Sequence, residues 1–318
     1  MQLLLLALLT FAGCGTMSPI TSWQSAVGRD HPLSGRIWDV RRSRFVAESA
    51  MLRDLAGARF VLLGEKHDNP DHHALQARIT RALVGGGRRP VVAFEMLLPS
   101  QAEALARHRA TKPHDSAGLG KAVAWDQSGW PDWTWYEPIA RVALEAGLPI
   151  VPANLETDRA RALRREGVSA LDPAFVRRHA FDAPLAEDVR TAMTDEIRDA
   201  HCGHAPPAML PGMIAVQRAR DAAMADAVAQ GADGGILISG AGHVRNDRAA
   251  PFYLRRLEPT ARTASVAFLE VESGRLTPER YADRLGGTLP FDYIWFTPAV
   301  DAEDPCEKFR KALERMRR

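Results

Sequence analysis

Arg59-Phe60-Val61-Leu62-Leu63-Gly64-Glu65-Lys66-His67-Asp68-Asn69-Pro70 decides the fold. Phe60 to Leu63 is uninterrupted apolar sequence, the pattern of a strand covered on both faces, as strands of a parallel sheet are. The strand exits through Gly64 into a polar turn, and the residues from about Asp71 to Val84 have a helical pattern. The same unit recurs downstream. Gly85-Gly86-Gly87 breaks the chain, Pro90-Val91-Val92-Ala93-Phe94 is a second buried strand ending at Glu95, and a helix follows from Ser100, a plausible N-cap, to Arg109. Further strands are expected at Arg36–Val40, Pro149–Ala153, Gly235–Ser239, Ser265–Val271 and Tyr293–Phe296, with helices at Ala47–Leu55 and Glu137–Ala146. Strands alternating with helices predict an α/β fold, with a mostly parallel central sheet flanked by helices. From Glu156 to Gln230 the β-branched runs vanish, which predicts a helical insertion or lid at about 156–230. Its Met209, Met213 and Met224 read as packing residues.

The flanks of this core carry different signals. Leu3 to Ala12 is apolar apart from Thr10, too short to span a membrane but suited to the apolar segment of a signal peptide. It ends in Phe11-Ala12-Gly13-Cys14, which resembles a bacterial lipobox with Cys14 as the acylated residue, although no Lys or Arg precedes the run and Phe11 stands where Leu is usual. On this reading residues 1–13 are removed, 14–35 form a Gly-, Ser- and Pro-containing tether, and 36–318 form the α/β domain. Cys202 and Cys306 then remain in an oxidising compartment. Their pairing as a disulfide is favoured over two separate thiols, one of them a metal ligand. The 318 residues carry 41 Lys and Arg against 39 Asp and Glu, a net charge of +2 without a concentrated basic stripe, so nucleic acid is not an expected partner.

In an open parallel sheet, the loops leaving the carboxyl ends of the strands share one crevice. Glu65, His67, Glu95, Asn154 and His243 each follow directly on a strand, and topology makes them converge. Glu65, His67, Glu95 and His243 are the candidate catalytic residues: a carboxylate beside an imidazole can act as an acid–base pair. Glu65, His67 and His243 are alternatively ligands for a divalent metal. Gly240-Ala241-Gly242-His243 lacks the third glycine of a dinucleotide loop, so a nucleotide site is rejected. His72 and His73 read either as a polar helix start or as neighbours of the site, and His201 and His204 either as a loop or as a helical pair able to meet a metal. Four of the seven tryptophans fall between Trp125 and Trp135. That stretch, with Tyr136, reads either as a hydrophobic cluster under a long loop or as a flat apolar surface for a planar ligand, with the phenol oxygen available to a haem iron.

Together these residues resemble the ChaN family of haem-binding bacterial lipoproteins, within a superfamily that includes Tiki-type proteases and erythromycin esterases. The resemblance rests on Leu63–Pro70, Phe94-Glu95-Met96, Trp125–Pro138, Ala153-Asn154, His201-Cys202-Gly203-His204, Gln217–Ala225 and Gly240–Arg245. It implies haem as the ligand, held between protomers of a dimer by a tyrosine on iron, a role that carries to Tyr136 with Trp133 and Trp135 beside it. It further implies iron or haem uptake, a lipid anchor in the outer membrane facing the periplasm or the cell surface, and an outer-membrane haem receptor as partner. The wider superfamily implies hydrolysis at Glu65, His67 and His243. Haem carrier and metal-dependent esterase or peptidase therefore stand as alternatives.

Overall fold

The structure is a computed structural model that describes residues 22–316. The expected signal peptide, Cys14 and the first part of the tether lie outside the described residues. Strands β1 (Ile37–Asp39), β2 (Arg44–Val46), β3 (Phe60–Glu65), β4 (Val91–Phe94), β5 (Ile150–Pro152), β6 (Gly235–Gly240), β7 (Thr263–Glu270) and β8 (Tyr293–Thr297) form one sheet in the order β2-β1-β8-β7-β3-β6-β4-β5. From β8 through β5 every pairing is parallel, and β1 and β2 close one edge as an antiparallel hairpin. The fold is thus α/β, with a mostly parallel central sheet flanked by helices.

Helices α1 (Glu48–Ala56), α2 (Pro70–Gly85), α3 (Ala102–Thr111), α4 (Ser116–Ala122) and α5 (Trp133–Glu145) precede β5. Only helices lie between β5 and β6: α6 (Thr157–Glu166), α7 (Pro173–His179), α8 (Glu187–Ala200) and α9 (Leu210–Ala229), with short 3-10 turns between them. Helices α10 (Ala250–Leu257) and α11 (Pro305–Met316) complete the chain. Side chains alternate across β3, so Val61 and Leu63 enter one core, with Met51, Ile79 and Tyr136, while Phe60 and Leu62 enter the other, with Ala222, Leu254 and Phe296. A strand buried on both faces explains why its sequence shows no polar alternation.

Local chemistry sets the element ends. Asn69 caps α2 by accepting from the Asp71 amide at 3.0 Å, and Pro70 occupies the first helical position, where no amide hydrogen is needed. Ser100 does not cap α3: it lies in the 3-10 turn Pro99–Gln101, and its amide donates to Glu156 instead. The tether expected up to residue 35 is corrected from Gln24 onward. The amides of Gln24 and Ser25 donate to the two Asp71 oxygens at 2.8 Å, Val27 bridges to Ala299, and Leu33 is buried in the second core. Specific acceptors thus immobilise a stretch whose composition suggested a linker. Cys202 and Cys306 are joined as a disulfide, tying α11 to the turn after α8.

Candidate functional site

Glu65 is the last residue of β3, and its carboxylate lies within a ring of donors. Tyr136 Oη of α5 donates to Oε1 at 2.8 Å, and His67 Nδ1 donates to the same oxygen at 2.8 Å. His73 of α2 places Nδ1 2.9 Å from Oε2, while its Nε2 donates to the His67 carbonyl at 3.0 Å. Burial by itself would raise the Glu65 pKa, but His73 and His67 outweigh it and bring the carboxyl down to about 2.

Glu95 follows β4 and is likewise buried. Its Oε2 accepts from the Gly240 amide at 2.7 Å, and its Oε1 lies 3.4 Å from His243 Nε2. His243 sits in the 3-10 turn Ala241–Val244 after β6 and donates from Nδ1 to Asp221 of α9 at 2.6 Å. Burial would lower the His243 pKa, but Glu95 and Asp221 drive it up to about 10; the same two carboxylates hold the ring as an imidazolium. Glu95 falls to about 2 because His243 and His67 outweigh its burial. Asp221 is raised, chiefly by burial. Asn154, after β5, donates to the Glu95 carbonyl at 2.8 Å.

The two halves meet at His67, whose Nε2 is 3.8 Å from Glu95 Oε2. Its side chain is 34% exposed, against 0–8% for Glu65, Glu95, His243 and Asp221, so His67 is the one member that a ligand reaches directly. Burial opposes its protonation, and Glu65 and Glu95 together raise its pKa. Lys66 is anchored to Glu270 of β7 at 2.8 Å and Asn69 to the same carboxylate at 2.8 Å, which fixes the turn that presents His67. With both imidazoles favouring the proton and both glutamates holding pKa values near 2, the cluster suits charge binding and proton donation better than proton abstraction.

The strand-end residues therefore converge as expected, but their donors are committed to one another. Among the described residues, no group of three or more His, Cys, Asp or Glu side chains is arranged to hold a metal ion. Of the residues expected as metal ligands, Glu65 faces Tyr136 and two histidines, and His243 Nδ1 faces Asp221. His72 is structural, accepting the Lys66 amide on Nδ1 and meeting Thr297 through Nε2, and burial lowers its pKa.

The aromatic segment packs behind Glu65. Tyr136 is fully buried, its hydroxyl donates to Glu65, and burial followed by the Glu65 charge raises its pKa. Trp133 packs edge-on to Trp125 and donates Nε1 to the Ser116 carbonyl, and Trp135 stacks on His73. These side chains build the core that supports Glu65. Trp130, half-buried like Trp133 and Trp135, lines the neighbouring open space, with its ring 4.7 Å from that of His67.

That space is a groove of about 800 Å³ running from the strand ends over the helical insertion. Met96, Leu98, Val123, Leu155, Met213 and Val216 supply apolar walls, and Arg161, Arg164 and Arg220 supply positive charge. Gln217, 3.3 Å from the His243 ring nitrogens, joins the groove to the charged cluster. His201 lines its flank. Cys202 and Gly203 turn the chain at φ 53° and 74°, so His201 and His204 do not share a helix face. His201 donates Nδ1 to the Ile197 carbonyl at 2.8 Å, and its Nε2 meets no hydrogen-bond partner among the described residues. Of the two histidines read as possible neighbours of the site, it is His73 that meets Glu65; Asp221 was not foreseen, its signal being an acid four residues after Gln217 in an otherwise Ala-rich helix.

Comparison with known proteins adds identity. A family model described as haem-binding uptake, Tiki superfamily, ChaN matches residues 51–254. The fold is similar to the structure described as cofacial heme binding to ChaN of Campylobacter jejuni, at 21% identity and a TM-score of 0.65, covering 81% of this chain and 95% of that one. A weaker likeness, with a TM-score of 0.42 and 13% identity over 78% of this chain and 91% of the other, is to the type III effector HopBA1. No curated protein matches the chain. With well over half of its length matched by the family model, the chain belongs to the ChaN family of haem-binding uptake proteins in the Tiki superfamily.

Proposed function

We propose that the protein binds haem in the groove between the strand ends and the helical insertion, in the service of haem or iron uptake. One observation carries the reading: a single groove of about 800 Å³ combines apolar walls, three arginines and a histidine nitrogen without a hydrogen-bond partner. A porphyrin needs apolar surface for its ring, cations for its propionates and an axial donor for its iron. Here Met213, Val216 and Trp130 suit the first need, Arg161, Arg164 and Arg220 the second, and His201 the third. A bonded Nδ1 with Nε2 left over is the arrangement that orients an imidazole toward a metal. The bound haem would supply the iron centre, and the chain's own residues would hold it, neutralise its propionates and exclude water from its faces.

The uptake role includes attachment through acylated Cys14 to the outer membrane, on the periplasmic face or the cell surface, a homodimer that encloses haem, and an outer-membrane haem receptor as partner. The lipobox-like sequence and family membership support this part.

Titration with haemin tests the reading. Saturable growth and shift of the Soret band are expected; His201→Ala should weaken binding roughly tenfold or more and change the band, while Tyr136→Phe should leave it in place. A wild-type protein without a saturable Soret change sinks the proposal.

A second reading, hydrolysis at the strand ends, is favoured by the exposure of His67 beside the buried Glu95–His243–Asp221 chain. It predicts esterase or peptidase turnover in the wild type that His67→Ala lowers at least ~100-fold. Turnover that His67→Ala leaves intact would remove this alternative.

A further inference from the structure

Behind the charged cluster, on the far side of Asp221, lies a second cavity that neither haem binding nor hydrolysis uses. It has a volume of about 220 Å³ and is walled by α8, α9 and α10 with the end of α7. That is below the ~300–1,000 Å³ typical of pockets for drug-sized ligands, so it is too small for a porphyrin. Leu185, Val189 and Phe252 give it an apolar body.

Its polar wall is unbalanced. Of the two carboxylates there, Asp221 is bound to His243 at 2.6 Å and Asp247 to Arg245 and Arg248 at 2.7 and 2.9 Å. Arg218 and Arg256 have no carboxylate partner among the described residues. Arg218 lies over the Phe181 ring at 4.7 Å, and its Nε is buried without a hydrogen-bond partner. Tyr253, 3% exposed, lines the same wall beside Arg218 and makes no hydrogen bond to an acceptor among the described residues. A buried donor left unmatched costs about 1–3 kcal/mol, so this wall is built for an acceptor. Two cations and a phenol on the wall of a cavity with an apolar body select an anion with a hydrocarbon chain.

We propose that this cavity binds a small aliphatic carboxylate, with its acid group held by Arg218, Arg256 and the Tyr253 hydroxyl and its chain against Leu185, Val189 and Phe252. The charge supplies orientation, since guanidinium–carboxylate pairs are directional and strengthened by partial burial. The apolar wall supplies affinity at about 25 cal/mol per Å² of buried surface.

Calorimetric titration of the full chain with octanoate, and with 1-octanol as the uncharged control, tests the site. Octanoate should bind saturably, and at least roughly tenfold more tightly than octanol, as one charge-assisted contact predicts. Arg218→Met should erase that preference, and so should Arg256→Met, an exposed position at which the fold does not depend on the side chain. Val189→Trp, which fills the cavity, should remove binding of both probes while leaving the haemin titration unchanged. Absence of saturable octanoate binding, equal affinity for octanol, or wild-type binding in either the arginine or the tryptophan variants would overturn the proposal.

Discussion

At the scale of single residues, the site is two carboxylates whose charge is balanced by histidines. Glu65 and Glu95 are depressed from 4.5 to about 2, so their stabilising effect is full above pH 4.5 and is lost as pH falls toward 2. His243 is raised from 6.5 to about 10, so its contribution is full below pH 6.5 and is lost as pH rises through 10. Thermal unfolding followed against pH should therefore show greatest stability between about pH 4.5 and 6.5, with losses on both sides. Glu95→Gln should flatten the alkaline loss, because His243 then loses a partner that raises its pKa. An unchanged alkaline limb in that variant would mean that His243 is not the group responsible. These residues were readable in the sequence because each stands directly after a strand. Asp221 was not, and which of His72 and His73 joins the cluster stayed open, because these residues reach it across helix faces, where sequence offset does not reveal direction.

At the scale of elements, β3 and the turn after β6 approach each other closely enough to exclude a side chain. A Cβ placed on Gly64 would lie 2.4 Å from Val244 Cγ2 and 2.8 Å from Ala241 Cα. Gly64→Ala should therefore destabilise the protein by about 1–3 kcal/mol in denaturant unfolding. It should also displace the turn that carries His243, and a variant as stable as the wild type would contradict this packing. The apolar runs of β3, β4, β6 and β8 announced themselves because strands covered on both faces lack polar alternation. The aromatic segment did not resolve itself. Trp133, Trp135 and Tyr136 have the composition of a ligand-binding face, and only their contacts with Ser116, His73 and Glu65 distinguish a supporting layer from a binding surface. Likewise, β2 was missed because three residues, two of them half-buried, carry too little pattern.

At the scale of the whole molecule, the disulfide between Cys202 and Cys306 closes a loop spanning a sequence separation of 104 residues, including β6, β7 and β8. The ion pairs Lys308–Asp301 and Lys311–Glu303 are at least partly exposed and add little to the docking of α11. Cys306→Ser should lower global stability by about 3–5 kcal/mol in denaturant unfolding. It should also make Pro305–Met316 the first segment cut in limited proteolysis; equal stability and an uncut C-terminus would show that the link is not what holds it. The helical stretch from Glu156 to Gln230 was visible as a loss of β-branched runs, which also suggested a lid over one end of the sheet; which helices line the groove was not, since that depends on contacts between α6, α9 and the second core. The sheet's outer strand on that side, β5, holds only Ile150–Pro152, with Pro149 before it. Two of four successive residues there have no amide hydrogen, so an approaching strand finds few donors with which to extend the ladder. That edge is thereby a terminus for assembly: molecules that crowd together against β5 meet a broken seam rather than a continuous one.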